Sequence, residues 1–163
     1  MISLIILLTD FAEAERLNRE PTMSSAMDRI SWSDELLLGH ATIDIQHQDI
    51  IDCFNSLVTT LISSDNENFE DKELMDATVH AFSRLIEGHF DYEENQMLLS
   101  AYPSAALHKQ RHQNFLPRVR AMVDDYDKGK HILSYTIDFL AQWLRYHITT
   151  TDKAVVAWLA QRH

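Results

Sequence analysis

From residue 42 onward, apolar side chains recur every three or four positions: Ile43, Ile50, Ile51, Phe54, Leu57, Val58 and Leu61, until the polar run SSDNEN breaks the pattern. That spacing places them on one face of an α-helix and predicts a first helix with a single buried stripe. A second helix is predicted from about Glu70 to Leu99, with Leu74, Val79, Phe82, Leu85, Ile86, Phe90 and Met97 on its buried side. It stops at AYPS, because Pro103 cannot continue it. Ser104 is placed to cap a third helix carrying Leu107, Phe115, Val119 and Met122, which ends in DDYDKGK near Gly129. A fourth spans roughly residues 132–161, and residues 30–41, with Trp32 and Gly39, read as a non-helical lead-in. Four helices with short connections predict an all-α, antiparallel up-down-up-down four-helix bundle.

Composition agrees with this class. A chain of 163 residues, 45% hydrophobic, can bury one sizeable core, and only 3 Gly and 3 Pro leave few turns for a sandwich or barrel. A net charge of -11 argues against nucleic-acid or anionic-membrane partners, which draw on clustered Lys and Arg. The single cysteine, Cys53, excludes an intrachain disulfide and a thiolate-rich metal site and suits a reducing cytoplasm, the expected location. The opening MISLIILLTDF has no Lys or Arg before its apolar run and meets Asp10 after about seven residues, too short for a signal or a span. Residues 1–29, with Pro21 and TMSSAM, are therefore expected to be an extension and linker outside a domain at 30–163, and Met23 or Met27 could serve as the start.

The chemistry lies in the histidines. His108 and His112 form an H-x-x-x-H pair in the third helix, a pattern that arises by chance in roughly every second chain of this histidine content. Yet His47, His89 and His147 give every other helix one as well, with Glu93 four residues after His89 and Asp152 five after His147. Side chains at i and i+4 are rotated by only about 40° and displaced by about 6 Å, so each pair can point at one place. Five imidazoles and two carboxylates can converge inside the bundle, where a cation would remove the cost of burying the carboxylates. Donors of this kind, without thiolate, suit iron and equally admit manganese, zinc or cobalt. The spacing from His147 to Asp152 does not fit a regular helix: five residues turn the direction by about 500°, leaving the two roughly 140° apart. It predicts a widened, π-type turn through Ile148, Thr149, Thr150 and Thr151, with threonine hydroxyls serving the loosened carbonyls.

The ordered segments ISW, IDIQHQ, HFDYEE, YPSAALHKQRH and WLRYHITTTD, spread over residues 30–163, together resemble a bacterial-type hemerythrin, with all seven ligand positions of that pattern filled. The resemblance implies two non-haem irons per chain. His108, His112 and His147 would hold one, His47 and His89 the other, and Glu93, Asp152 and an oxo or hydroxo group would bridge them. Counting donors then leaves one position open on the two-histidine iron, where dioxygen could bind. The implied function is reversible dioxygen binding for storage, delivery or sensing, by a monomer that is not an enzyme; any signalling would pass to a separate protein partner. The alternatives are a di-iron enzyme acting on peroxide or nitric oxide, and a metal that only staples the helices. Paired E-x-x-H motifs of ferritin-like oxygenases do not occur. By the same resemblance Ile50 and Leu144 would line an oxygen pocket. Asp44 reads as a contact to His47 or a solvated helix-start carboxylate, Cys53 as a small core residue, Trp32 and Trp143 as packing residues, and His40, His80, His131 and His163 as surface or lead-in residues.

Overall fold

The computed structural model describes residues 29–63 and 69–162; the expected extension at its residues 1–28, and His163, lie outside them. Four helical rods follow the non-helical lead-in, and no strand occurs among the described residues. They are α1 (Ala41–Ser63), α2 (Phe69–Leu99), α3 (Ala105–Asp127), and a fourth rod made of α4 (Ser134–Tyr146), a π-helical turn (His147–Asp152) and α5 (Lys153–Ala160). No helix among the described residues is long and apolar enough to cross a membrane.

Contacts between rods run in opposite senses along the chain. His47 meets His89 while Cys53 meets the Thr78 carbonyl. Glu93 meets His108 while Glu87 meets Arg120. Arg111 meets Thr151 while Phe115 stacks on Trp143. The bundle is thus antiparallel, as the short connections require.

The core has two parts. The larger contains Phe54, Leu57, Val79, Phe82, Ile86, Phe90, Phe115, Val119, Ile137 and Leu140, among others. The smaller contains Ile43, Met97, Val155, Val156 and Leu159. Each rod passes from one part to the other, and the residues at the crossing are polar: His47 lies between Ile43 and Ile50, Glu93 between Phe90 and Met97, His112 before Phe115, and Asp152 between Ile148 and Val155. A buried polar layer is thereby closed off by apolar packing on both sides.

Three expectations about the helices need correction. Leu74 is 53% exposed, and Met75 is buried in its place. The stripe on α2 runs Met75, Val79, Phe82, Ile86, Glu93 and Met97, and Leu74 is turned about 100° away from it. Leu107 is 43% exposed for the same reason, one residue before the stripe His108, His112, Phe115, Val119 and Met122. Ser104 holds the N-cap position of α3, but its side chain makes no capping hydrogen bond.

The helix ends follow the expected punctuation with one exception. After α3, Gly129 adopts φ +76° while the Gly129 and Lys130 amides donate to the Tyr126 and Asp125 carbonyls, closing the helix with a left-handed residue. After α2 the same pair of bonds runs from Ala101 to Leu98 and from Tyr102 to Met97, but here the left-handed residue is an alanine at φ 52°. A Cβ in that region costs about 1–2 kcal/mol, partly offset because glycine loses more freedom on folding. Ala101→Gly is therefore expected to raise stability by about 0.5–1 kcal/mol, read as a higher urea midpoint at unchanged m-value.

The lead-in is pinned at both ends. Ile30 exchanges two 2.8 Å hydrogen bonds with the Asn55 side chain, and Arg145 donates to the Arg29 carbonyl at 2.8 Å. Asp44 makes no hydrogen bond to His47 and does not face solvent. It is buried, and its two oxygens accept from the Leu38 and Gly39 amides at 2.8 and 2.9 Å, holding the turn into α1 in which Gly39, lacking a Cβ, takes φ +89°. Trp32, expected to pack, is 37% exposed.

Candidate metal centre

Seven side chains from the four rods meet in the polar layer: His47, His89, Glu93, His108, His112, His147 and Asp152, none more than 3% exposed. All five imidazoles present Nε2 to the centre. His108 and His112 Nε2 lie 2.9 Å apart, His112 and His147 3.0 Å, and His47 and His89 3.2 Å. Two nitrogens bound at right angles to one ion at about 2.1 Å would be roughly 3.0 Å apart, so these spacings fit one ion per group. Ligand atoms of Glu93, His108, His112, His147 and Asp152 all lie within 4.8 Å of one another, as do those of His47, His89 and Asp152.

Asp152 belongs to both groups, and its oxygens divide between them. Oδ1 lies 2.9 Å from His147 Nε2 and 3.4 Å from His108, whereas Oδ2 lies 3.1 Å from His47 and 3.8 Å from His89. Glu93 Oε2 sits 3.1 Å from His108 and 3.6 Å from each of His89 and His112, which also span the groups. Its Oε1 makes no hydrogen bond, nor does Asp152 Oδ1, despite full burial of both residues.

The π-helical turn makes this possible. His147 and Asp152 are its first and last residues, with regular helix before and after. The extra residue brings the two back onto one face, as the spacing required. Thr149 and Thr150 hydroxyls donate to the Arg145 and Tyr146 carbonyls at 2.7 and 2.6 Å, taking up acceptors that the wider turn loosens. Arg111, which sequence reasoning did not single out, donates to the Thr151 hydroxyl at 2.6 Å and ties the turn to α3.

The electrostatics call for a cation. Burial raises the Asp152 pKa, but the nearby His147, with the hydrogen bond to His47 and the closeness of His89, outweighs it and holds the carboxyl well below its usual range. For Glu93, burial and Asp152 push up while hydrogen bonds from His108 and His112 bring the pKa down. Burial pushes His147 down to about 4, so at neutral pH it is a neutral donor. Burial opposes the charged form of His89 too, but Asp152 and Glu93 together raise its pKa. Two buried carboxylates held in their ionised form among five buried imidazoles make a site that is costly without positive charge at its centre.

Outside the ring of Nε2 atoms the partners differ. His89 Nδ1 donates to the neutral Gln46 amide oxygen at 3.1 Å, and His112 Nδ1 to the Glu94 carboxylate at 3.3 Å. Phe90 stacks on His112 with centroids 3.7 Å apart, and Trp143 on His147 at 4.1 Å, fixing both rings. Neither Gln46 nor Glu94 was picked out from sequence; their adjacency to His47 and Glu93 was the available signal. Ile50 and Leu144 are buried, at 1% and 3% exposure, one turn from His47 and His147. Of the remaining histidines, His40 stacks edge-on with Tyr92, His131 is exposed, and His80 meets Asp127 at 3.1 Å away from the centre. Cys53 is half-buried with its thiol on the Thr78 carbonyl, and burial pushes its pKa up, against the charge of Arg84.

Comparison with known proteins agrees with the geometry. Residues 38–159 match the family model described as the Hemerythrin HHE cation binding domain. A bacteriohemerythrin of Stenotrophomonas maltophilia (strain R551-3) is 31% identical over 130 residues, covering 78% of this chain and 80% of that protein. Myohemerythrin-1 of Phascolopsis gouldii is 27% identical over 121 residues, covering 74% and 87% respectively. A crystal structure of wild-type hemerythrin shares the fold with a TM-score of 0.68 at 23% identity, over 77% of this chain and 94% of that one.

Proposed function

The chain belongs to the hemerythrin family, and on that premise we propose that it binds dioxygen reversibly at a non-haem di-iron centre. In this reading His108, His112 and His147 would hold one iron, His47 and His89 the other, and Glu93 and Asp152 would be shared between them. The observation that carries the proposal is the division of the Asp152 oxygens, 2.9 Å from His147 on one side and 3.1 Å from His47 on the other. A carboxylate so placed can join two ions, and the buried Oε1 of Glu93, lacking a hydrogen bond, supports a second bridge. Held by these residues, two reduced irons would supply the electron pair by which dioxygen is bound reversibly.

The protein's own residues then do three things. The imidazoles bind through Nε2, their tautomers set on His89 and His112 by Gln46 and Glu94. Ile50 and Leu144, buried one turn from His47 and His147, would cover the cluster with apolar surface that restricts water and stray protons. Burial of every ligand to 3% or less keeps larger substrates away from the metal positions, which favours binding of a small molecule over turnover of larger ones. Because all the ligands come from one chain, a monomer suffices. We place the domain at residues 30–163, with residues 1–29 as an extension, in a reducing cytoplasm suited to the free thiol of Cys53.

Anaerobic reduction followed by alternating oxygen and argon, watched by visible absorption, tests the function. Repeated cycling between colourless and coloured forms at about two irons per chain is expected. Irreversible oxidation with catalytic consumption of peroxide would point to an enzyme.

A further inference from the structure

We infer that Lys109 and Glu94 form a charge relay from the surface to the three-histidine metal position, Glu94 favouring the oxidised metal and Lys109 opposing it. This rests on the metal-centre reading given above. The two oxygens of Glu94 have different partners: Oε2 accepts from Lys109 Nζ at 2.6 Å, and Oε1 accepts from His112 Nδ1 at 3.3 Å. The side chains form a gradient of exposure, 54% for Lys109, 22% for Glu94 and 2% for His112. One carboxylate thus separates an exposed ammonium from a buried ligand imidazole.

The two metal positions differ in this respect. The corresponding nitrogen of His89 meets only the neutral Gln46 amide, and the Nδ1 atoms of His47 and His108 have no hydrogen-bond partner. A carboxylate accepting from Nδ1 pushes electron density through the ring to Nε2 and makes the ligand a stronger donor, whereas an amide does so far less. Stronger donation stabilises the higher oxidation state and lowers the reduction potential. The ammonium of Lys109 draws on the same carboxylate and weakens the effect. Glu94 also lines two surface depressions, one of about 330 Å³ shared with Lys109 and one of about 130 Å³ shared with His112, so solvent ions can reach the relay.

The relay therefore makes a prediction of sign. Glu94→Gln keeps an acceptor for His112 but removes the charge, so the reduction potential of the iron-loaded protein should rise. Lys109→Met leaves Glu94 unshared, so the potential should fall. Lys128→Met removes the same charge from a surface pair with Asp124 near the end of α3 and should leave the potential unmoved. A second readout needs no iron redox chemistry. In the zinc-loaded chain, the His112 Nδ1 proton should move upfield in Glu94→Gln and downfield in Lys109→Met by NMR, and Glu94→Ala should weaken zinc binding by about 10–100-fold. Opposite shifts in the two variants with none in Lys128→Met establish the relay. Shifts of the same sign, no shifts, or an equal shift in Lys128→Met overturn it while leaving the metal centre standing. Wild-type protein that takes up no metal would overturn the metal-centre reading and the relay with it.

Discussion

Asp152→Asn is expected to reduce iron loading from about two per chain to one or none, the largest effect of any single substitution considered. The change keeps the shape of the side chain but removes the charge that both histidine groups face. Stability should separate the two states of the protein. Saturating metal at about 100 times its dissociation constant stabilises a fold by about 2.7 kcal/mol, and the variant should lose most of that. Without metal the variant should stay within about 1 kcal/mol of wild type, because asparagine keeps the volume of the side chain and places no charge of its own in the buried layer. Glu93→Ala should also lose metal, but with a larger cost to the bare fold, since it opens a cavity between Phe90 and Met97. Iron analysis together with thermal melts at and without added metal checks both variants. Full two-iron loading of Asp152→Asn would refute the bridge.

Insertion of one alanine between Thr150 and Thr151 is expected to abolish metal binding, whereas deletion of Thr150 should be tolerated. A π turn contains one residue more than an α turn, so deletion lets the segment close as regular helix. His147 and the aspartate would then stand four residues apart, rotated by about 40° and separated by about 6 Å, and Val155, Val156 and Leu159 would keep their places in the smaller core. Thr150 is exposed, so little packing is lost with it. Insertion has no such remedy, because a further residue turns the aspartate by about another 100° and carries the downstream stripe with it. Cobalt uptake by absorption and helicity by circular dichroism report the outcome. Equal metal binding by the insertion variant, or complete loss on deletion, would sink the geometric account of this turn.

Much of the centre was legible because its information is local. The π turn follows from counting residues between His147 and Asp152, and the helix ends near Leu99 and Asp127 follow from Pro103 and Gly129. Where the reading slipped, adjacent residues competed for one face. Leu74 is the more hydrophobic neighbour of Met75, but the positions of Val79, Phe82 and Ile86 select Met75, a signal that periodicity contained and residue type obscured. The misplacement of Leu107 beside His108 has the same origin, because histidines on a buried stripe look polar to a hydrophobicity count.

By itself the sequence determined four amphipathic helices, the convergence available to seven ligand-type side chains and the wide turn in the last rod, since each depends on spacing along one helix. The tertiary structure decided what depends on which atoms of different helices meet. It divided the Asp152 oxygens between two histidine groups, gave Asp44 to the lead-in amides, and stacked Phe90 and Trp143 on the His112 and His147 rings. It also gave His89 a neutral partner and His112 a charged one. Helical periodicity specifies a face to within a fraction of a turn, whereas a hydrogen bond specifies an atom to within tenths of an ångström, and only the packing of all four rods supplies that second kind of precision.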